Sequence, residues 1–315
     1  MRRAITLTVL LTIAIPIGQA DDNTDRYSKQ CADIIAAKGQ ADEGRRLSNL
    51  FEANWEYRMI AMPESATWRG YPGQNHRWSD LSMAAIADGK ESARQTLKAI
   101  LSFDRAKLSE ANQLNYDLFR RDAEMAIERQ QFPAEFLVLN QMDGLPRDVP
   151  SMIAMMPSVR TKDYEDILAR LGGIPALVDQ TIALLQEGLR RGIVPPKVPL
   201  RTVADQVSGQ VHIGPMTTPM LSKFKNFPDA IPAAEQTRLT EAAKVVYADE
   251  VRPALKRLHL FLRDEYVPNC RITVGRSALP NGRVWYDYQI KHYTTTTLGA
   301  DEIHNIGLRE VNRIR

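Results

Sequence analysis

The chain of 315 residues is poor in cysteine, with only Cys31 and Cys270. That count excludes a four-cysteine zinc site. The two thiols can form at most one bridge in an oxidising compartment, and the sequence leaves their pairing open. There is no strong charge of one sign, since 41 basic residues face 38 acidic ones. Such a balance leaves no electrostatic footprint for nucleic acid. No β-alternation of useful length occurs, apart from a short piece at "RITVG". Repeats and low-complexity tracts are not evident either. Beyond the first 20 residues, no stretch reads as long and apolar enough to span a bilayer.

The motifs of two hydrolase classes are also missing. A helical zinc site of the H-E-x-x-H type needs two imidazoles one turn apart, with a glutamate between them to activate water. None of His76, His212, His259, His292 and His304 is followed by glutamate. A nucleophile elbow needs G-x-S-x-G after a strand. Gly275-Arg276-Ser277-Ala278-Leu279 comes near, but ends in leucine.

What is present begins with a secretory signal. Arg2 and Arg3 precede the apolar run "AITLTVLLTIAIPIG", and Gly18-Gln19-Ala20 offers small residues before Asp21. Pro16 and Gly18 end the run before membrane-spanning length. Residues 1–20 therefore read as a cleaved signal peptide, with no stable membrane anchor after cleavage. The mature chain is expected in the periplasm or secreted. Losing Arg2 and Arg3 takes the formal charge from +3 to +1.

Most of the remainder has helical period. Leu47, Leu50, Phe51, Trp55, Met59 and Met62 share one face, with Arg45, Arg46, Glu52 and Arg58 on the wetter side. The stretch "MPESATWRGYPGQNHRWSD" reads as a long loop, after which Ser79 or Asp80 caps a helix reaching about Phe103. Ser109 caps the next, whose stripe is Leu114, Leu118, Met125 and Phe132. Pro133 and "DGLPRDVP" read as punctuation. A helix over 161–191 is broken at Gly172-Gly173 and stopped by "RRGIVPPK". An irregular connection over 209–231 leads to the longest helix, 232–266, kinked at Pro253. The fold class is mostly α: an irregular multi-helix array with long Pro/Gly-rich connections, with residues 21–315 as one helical domain.

The C-terminal stretch concentrates the candidate chemistry. Pro280-Asn281-Gly282 forms a turn. A short helix rich in aromatics follows, and Thr294 to Thr297 end it. Gly299 or Thr297 caps the last helix, with Asp301 and Glu302 in its first turn. Ile303, Ile306, Val311 and Ile314 carry an apolar stripe to the last residue but one. Tyr288, His292, Tyr293 and His304 are the candidates for lining a substrate cleft. No catalytic residue and no metal ligand is read from the residues alone.

The segment "LPNGRVWYDYQIKHYTTTTLGADEIHNIGLREVNRI" resembles the bacterial family called domain of unknown function 885. Its features are an L-P-D/N-G turn, an aromatic helix, a threonine loop and an "EEIH…GL.EV.RI" helix. "GIVPPKVPLRTVADQV" and "W…LSMAAIADG" agree in the same order. The tyrosine after His292 departs from the family's "HTTT"-like loop. The resemblance implies exported or lipid-anchored helical proteins of about twice this length. It also implies zinc metallopeptidase-like chemistry, through an "HExxPGHH"-type motif that this chain lacks. The expectation is thus an N-terminal portion, inactive alone, without a cofactor of its own; zinc and peptide substrate would belong to the full-length protein. The alternatives are a complete non-catalytic periplasmic helical binding protein and an unrelated hydrolase using Ser277. N-terminal sequencing of exported protein should begin at Asp21; retention of Met1 would contradict the signal reading.

Overall fold

The structure, a computed structural model, describes residues 19–315. Residues 1–18 of the predicted signal lie outside them, and its last two positions open the first helix. Five helices lead the chain: α1 (Gln19–Ala36), α2 (Glu43–Ala61), the short α3 (Pro63–Trp68), α4 (Met83–Ile100) and α5 (Glu110–Arg129). Asp42, Ser82 and Ser109 accept a backbone N–H three residues on and so cap α2, α4 and α5. Ser109 stands where the sequence puts it; the cap of α4 is Ser82 rather than Ser79 or Asp80. The predicted loop after Met62 contains α3, because Pro63 at its first position has no N–H to leave unpaired.

Two expectations about faces are corrected here. Arg46, placed on the wet side of α2, is buried. Its guanidinium donates twice to the Ile34 carbonyl, at 3.1 and 2.8 Å, pairs with Glu43 at 2.5 Å, and stacks on Phe103. Ile34 lies in the last turn of α1, where unpaired carbonyls and the helix dipole favour a cation. On α5, Leu114 and Leu118 are 60% and 53% exposed. Met125 and Phe132 of the expected stripe are buried, in the smaller core, but in place of the leucines the helix buries Tyr116 and Ala123 in the N-terminal core, and Phe119 meets Phe51 at 4.8 Å. That second face is as regular in spacing as the leucines, and it is the one α2 and α4 cover. Trp55 and Met62 of the predicted α2 stripe are also exposed.

The second half is built on α6 (Leu145–Met155), α7 (Thr161–Gly172), α8 (Ile174–Arg191) and α9 (Val203–His212). Within "DGLPRDVP", Gly144 and Pro146 mark the start of α6, but Pro150 punctuates nothing: the helix runs through it. Pro146 sits in its first turn. Pro150 cannot donate to the Pro146 carbonyl, and the side-chain amide of Gln210 does so instead at 2.6 Å. The α7–α8 rod breaks at Gly173 and stops at Gly192, which takes the left-handed conformation with φ 69°. By length and composition alone this rod, Thr161–Arg191, contains a stretch apolar enough to cross a membrane, which the sequence reading did not single out, and a buried core helix has the same character. Its apolar residues, from Tyr164 to Leu185, form the centre of the larger core.

The longest rod comprises α10 (Ala233–Val246), α11 (Arg252–Phe261) and α12 (Val267–Asn269), joined by π-helical turns at Tyr247–Val251 and Leu262–Tyr266. Pro253 therefore does not simply kink a regular helix. Each proline follows a widened turn, in which Arg252 N–H reaches the Tyr247 carbonyl and Val267 N–H reaches that of Leu262. The sequence marks both places: Asp249-Glu250-x-x-Pro253 and Asp264-Glu265-x-x-Pro268 stand 15 residues apart. "RITVG" supplies only an isolated bridge from Arg271 to Pro196. Cys31 and Cys270 are free and buried in different cores, which settles the pairing against a bridge.

The loop between α3 and α4 binds the two halves. Arg170 of α7 is fully buried. It donates to the carbonyls of Arg77 at 2.7 and 3.0 Å and of Gln74 at 3.1 Å, and to Thr67 Oγ1 at 3.0 Å. Trp78 stacks on its guanidinium at 5.0 Å and donates its indole N–H to the Arg170 carbonyl. The ring passes over Gly173, where a Cβ would come within 3.0 Å of it. Burial pushes the Arg170 guanidinium down to about 10, still charged at neutral pH. Replacing Arg46 by alanine would leave the buried Ile34 carbonyl without its side-chain donor and the buried Glu43 carboxylate without its counter-charge, held only by the Asp104 N–H. It should lower stability by about 3 kcal/mol or more in urea unfolding; an unchanged midpoint would contradict this role.

Candidate functional site

The site is built from the turn before α13 (Gly282–Thr294) and the helix α14 (Ala300–Ile314) that follows. Asn281 takes the left-handed region, φ 53° and ψ 24°, which asparagine tolerates better than most residues. Gly282 has no room for a side chain: a Cβ there would lie 2.1 Å from the Arg276 carbonyl oxygen. Asparagine and glycine are thus fixed by backbone shape. The turn aims the first residues of α13 at the end of α5.

One face of α13 then buries its aromatic rings. Trp285 stacks on Phe132 at 5.5 Å, with Arg276 4.5 Å above its own ring. Tyr288, one turn on, meets Phe132 at 5.1 Å and donates its hydroxyl to the Met125 carbonyl at 3.2 Å. Burial raises the Tyr288 phenol above its ordinary value. His292 stacks on Tyr288 at 5.9 Å, and Tyr293 sets its edge to His292 at 5.0 Å. Lys291 pairs with Glu128 at 2.7 Å. Past the helix, Thr295 turns left-handed and Thr294 and Thr296 accept from the backbone of the loop. Gly299 opens α14, its N–H held by Glu302 at 2.8 Å.

Of the four candidate residues, three share α13. Tyr288 is buried, whereas His292 and Tyr293 are exposed. His304 is exposed on α14, with no hydrogen bond to another described residue. Ser277 sits in the short turn Arg276–Ala278, not after a strand, and no described histidine hydrogen-bonds to it. Among the described residues, no group of three or more His, Cys, Asp or Glu is placed to hold a metal ion. The apolar stripe of α14 is real but uncovered: none of its residues is buried, and Ile314 is 74% exposed.

Beside the Pro280–Asn281 turn lies a cleft that sequence reasoning missed. Lys90, Glu135 and Arg191 bring charge to it. Arg191 reads in the sequence only as a helix-stop residue. Its one signal is Glu187, placed four residues earlier to fix its side chain.

A model of the family described as "Bacterial protein of unknown function (DUF885)" matches residues 63–315. Among solved structures, "the putative lipoprotein from Colwellia psychrerythraea" is similar, with a TM-score of 0.71 and 17% identity. The match covers 93% of this chain and 49% of that one, so this chain spans about half its length. At that identity the likeness shows the fold alone. The curated proteins give no match.

Gly282→Ala should destabilise the protein by about 1–3 kcal/mol, since the added methyl meets backbone rather than a movable side chain. Asn281→Gly should be close to neutral. Thermal unfolding of the two variants checks both; equal melting temperatures would show that the turn is not fixed as described.

Proposed function

The chain belongs to the family described as bacterial protein of unknown function, DUF885, and on that premise we propose that it is the helical, non-catalytic portion of an exported metallopeptidase-like protein. The observation that carries the reading is α14. An amphipathic helix with its apolar stripe in water is a surface awaiting a cover. The similar structure has about as much chain again with which to supply one. The signal-like residues 1–20, and the description of that structure as a lipoprotein, support a place in the cell envelope.

In this reading the chain supplies scaffold and one wall of a peptide cleft. Tyr288, His292, Tyr293 and His304 are the candidates for that wall. Zinc, which the family resemblance implies, does not fit the residues present. A catalytic zinc needs three protein ligands and an open position. His292 and His304 stand on separate helices with no third ligand gathered to them. We assign no zinc ligand and no catalytic step to this chain.

The purified chain from Asp21 onward should hold less than about a tenth of an equivalent of zinc after dialysis, because genuine protein zinc sites bind tightly. It should show no chelator-sensitive peptide hydrolysis. One retained zinc with such hydrolysis would overturn the proposal. Size-exclusion chromatography separates it from a complete binding protein: the uncovered stripe predicts dimers or aggregates, and a monodisperse monomer would favour the binding protein.

A further inference from the structure

The cleft beside the Pro280–Asn281 turn has a volume of about 350 Å³, at the small end of ligand-sized cavities. Four segments far apart in sequence converge on it: the middle of α4, the chain after α5, the end of α8, and the turn before α13. Buried Phe132 and Ile193 give it an apolar lining. Its ionised side chains are Lys90, Glu135 and Arg191, an excess of one positive charge.

Arg191 is held in place from two sides. Its guanidinium lies 5.0 Å from the centre of the Phe136 ring, and its Nε donates to Glu187 at 2.5 Å. Glu187 also accepts two hydrogen bonds from Arg190, and Arg190 and then Arg191 pull its carboxyl down to about 2. Among the described residues, the terminal nitrogens of Arg191 have no protein partner. Lys90 is engaged by Glu135 at 2.6 Å, and the Gln130 amide by the Lys90 carbonyl at 2.9 Å. The side-chain amides of Gln131 and Asn281 have no protein partner among the described residues.

A planar guanidinium steadied by a ring and a carboxylate, with its terminal N–H groups unused, is suited to grip a carboxylate through two hydrogen bonds. We infer that this cleft binds a carboxylate, from a peptide C-terminus or a small organic acid, with Arg191 as anchor. Asn281 and Gln131 supply further donors, and Phe132 and Ile193 take the adjoining apolar part. Glu135 selects for a single negative charge, because a dianionic phosphate would meet stronger repulsion from it. None of the residues used here belongs to the proposed cleft wall of α13 and α14, so the inference stands apart from the metallopeptidase reading.

Calorimetric titration of the purified chain tests it, with acetate, N-acetyl-Ala-Ala and the C-terminal amide of that dipeptide as probes. A free carboxylate should bind, and the amide should not. Tighter binding of the dipeptide than of acetate identifies a peptide terminus as the source; equal binding identifies a small acid. Arg191→Gln and Arg191→Lys should each weaken binding by about tenfold, the second because lysine lacks the two-pronged geometry. Glu135→Gln should strengthen it. Melting temperatures of the variants near that of the parent establish that they fold. Equal binding of acid and amide, no binding of any probe, or indifference to Arg191 would overturn the assignment.

Discussion

The architecture depends on the burial of Arg170, a charged side chain that the fold holds with three hydrogen bonds to backbone carbonyls and one to the Thr67 hydroxyl. Its partners, Gln74 and Arg77, lie in a Gly/Pro-rich loop that has little regular structure to hold it. A guanidinium offers five donors in a rigid fork. One such group can therefore impose shape on a segment that would otherwise wander. Trp78 completes the arrangement by covering the guanidinium and seating its ring on Gly173. Glu64 accepts from the Ser79 N–H at 3.0 Å, and Gln180 engages Leu81 and Asp80 from α8. The loop is thereby fastened along the α7–α8 rod, and the N-terminal helices are fastened with it.

Arg46 does the same on a smaller scale, joining the end of α1 to the start of α2. Arg170 and Trp78, by contrast, show why the N-terminal helices need no large apolar seam with the main core. Their contact is polar and directional, and its register is fixed by hydrogen bonds. Further along, Phe132 and Phe136 carry the chain from the end of α5 to the smaller core that receives α13. The candidate cleft lies at that junction, where four segments meet and α13 begins. A site formed from such distant segments exists only when the whole array is assembled, which makes its affinity a reporter of tertiary order.

Much of the helical content was legible in the sequence, because caps and stops are local. Ser109, Gly192 and Gly299 act where their chemistry says they should. The family likeness was legible too, on the turn, aromatic helix and threonine loop of the C-terminal stretch. Faces were less legible. Leu114 and Leu118 make a convincing stripe, yet nothing covers it among the described residues, and Tyr116, Phe119 and Ala123 do the packing. The buried arginines were illegible, since a charge reads as a wet residue until its acceptors are assembled from distant segments. Prolines misled for a related reason. The donor lost at Pro150 is replaced by Gln210, 60 residues away, and the one at Pro253 is accommodated by a widened turn. The cleft was hidden because Lys90, Glu135, Arg191 and Asn281 each have an ordinary local reading.

The most direct measurement is native-state hydrogen exchange of the Trp78 indole N–H and the Ser79 and Leu81 amides, compared with amides in the middle of α7. If Arg170 fastens the loop to the rod, these groups exchange only through an opening that also exposes α7, with the same dependence on denaturant. Exchange of the loop by small local fluctuations, while α7 remains protected, would contradict the account.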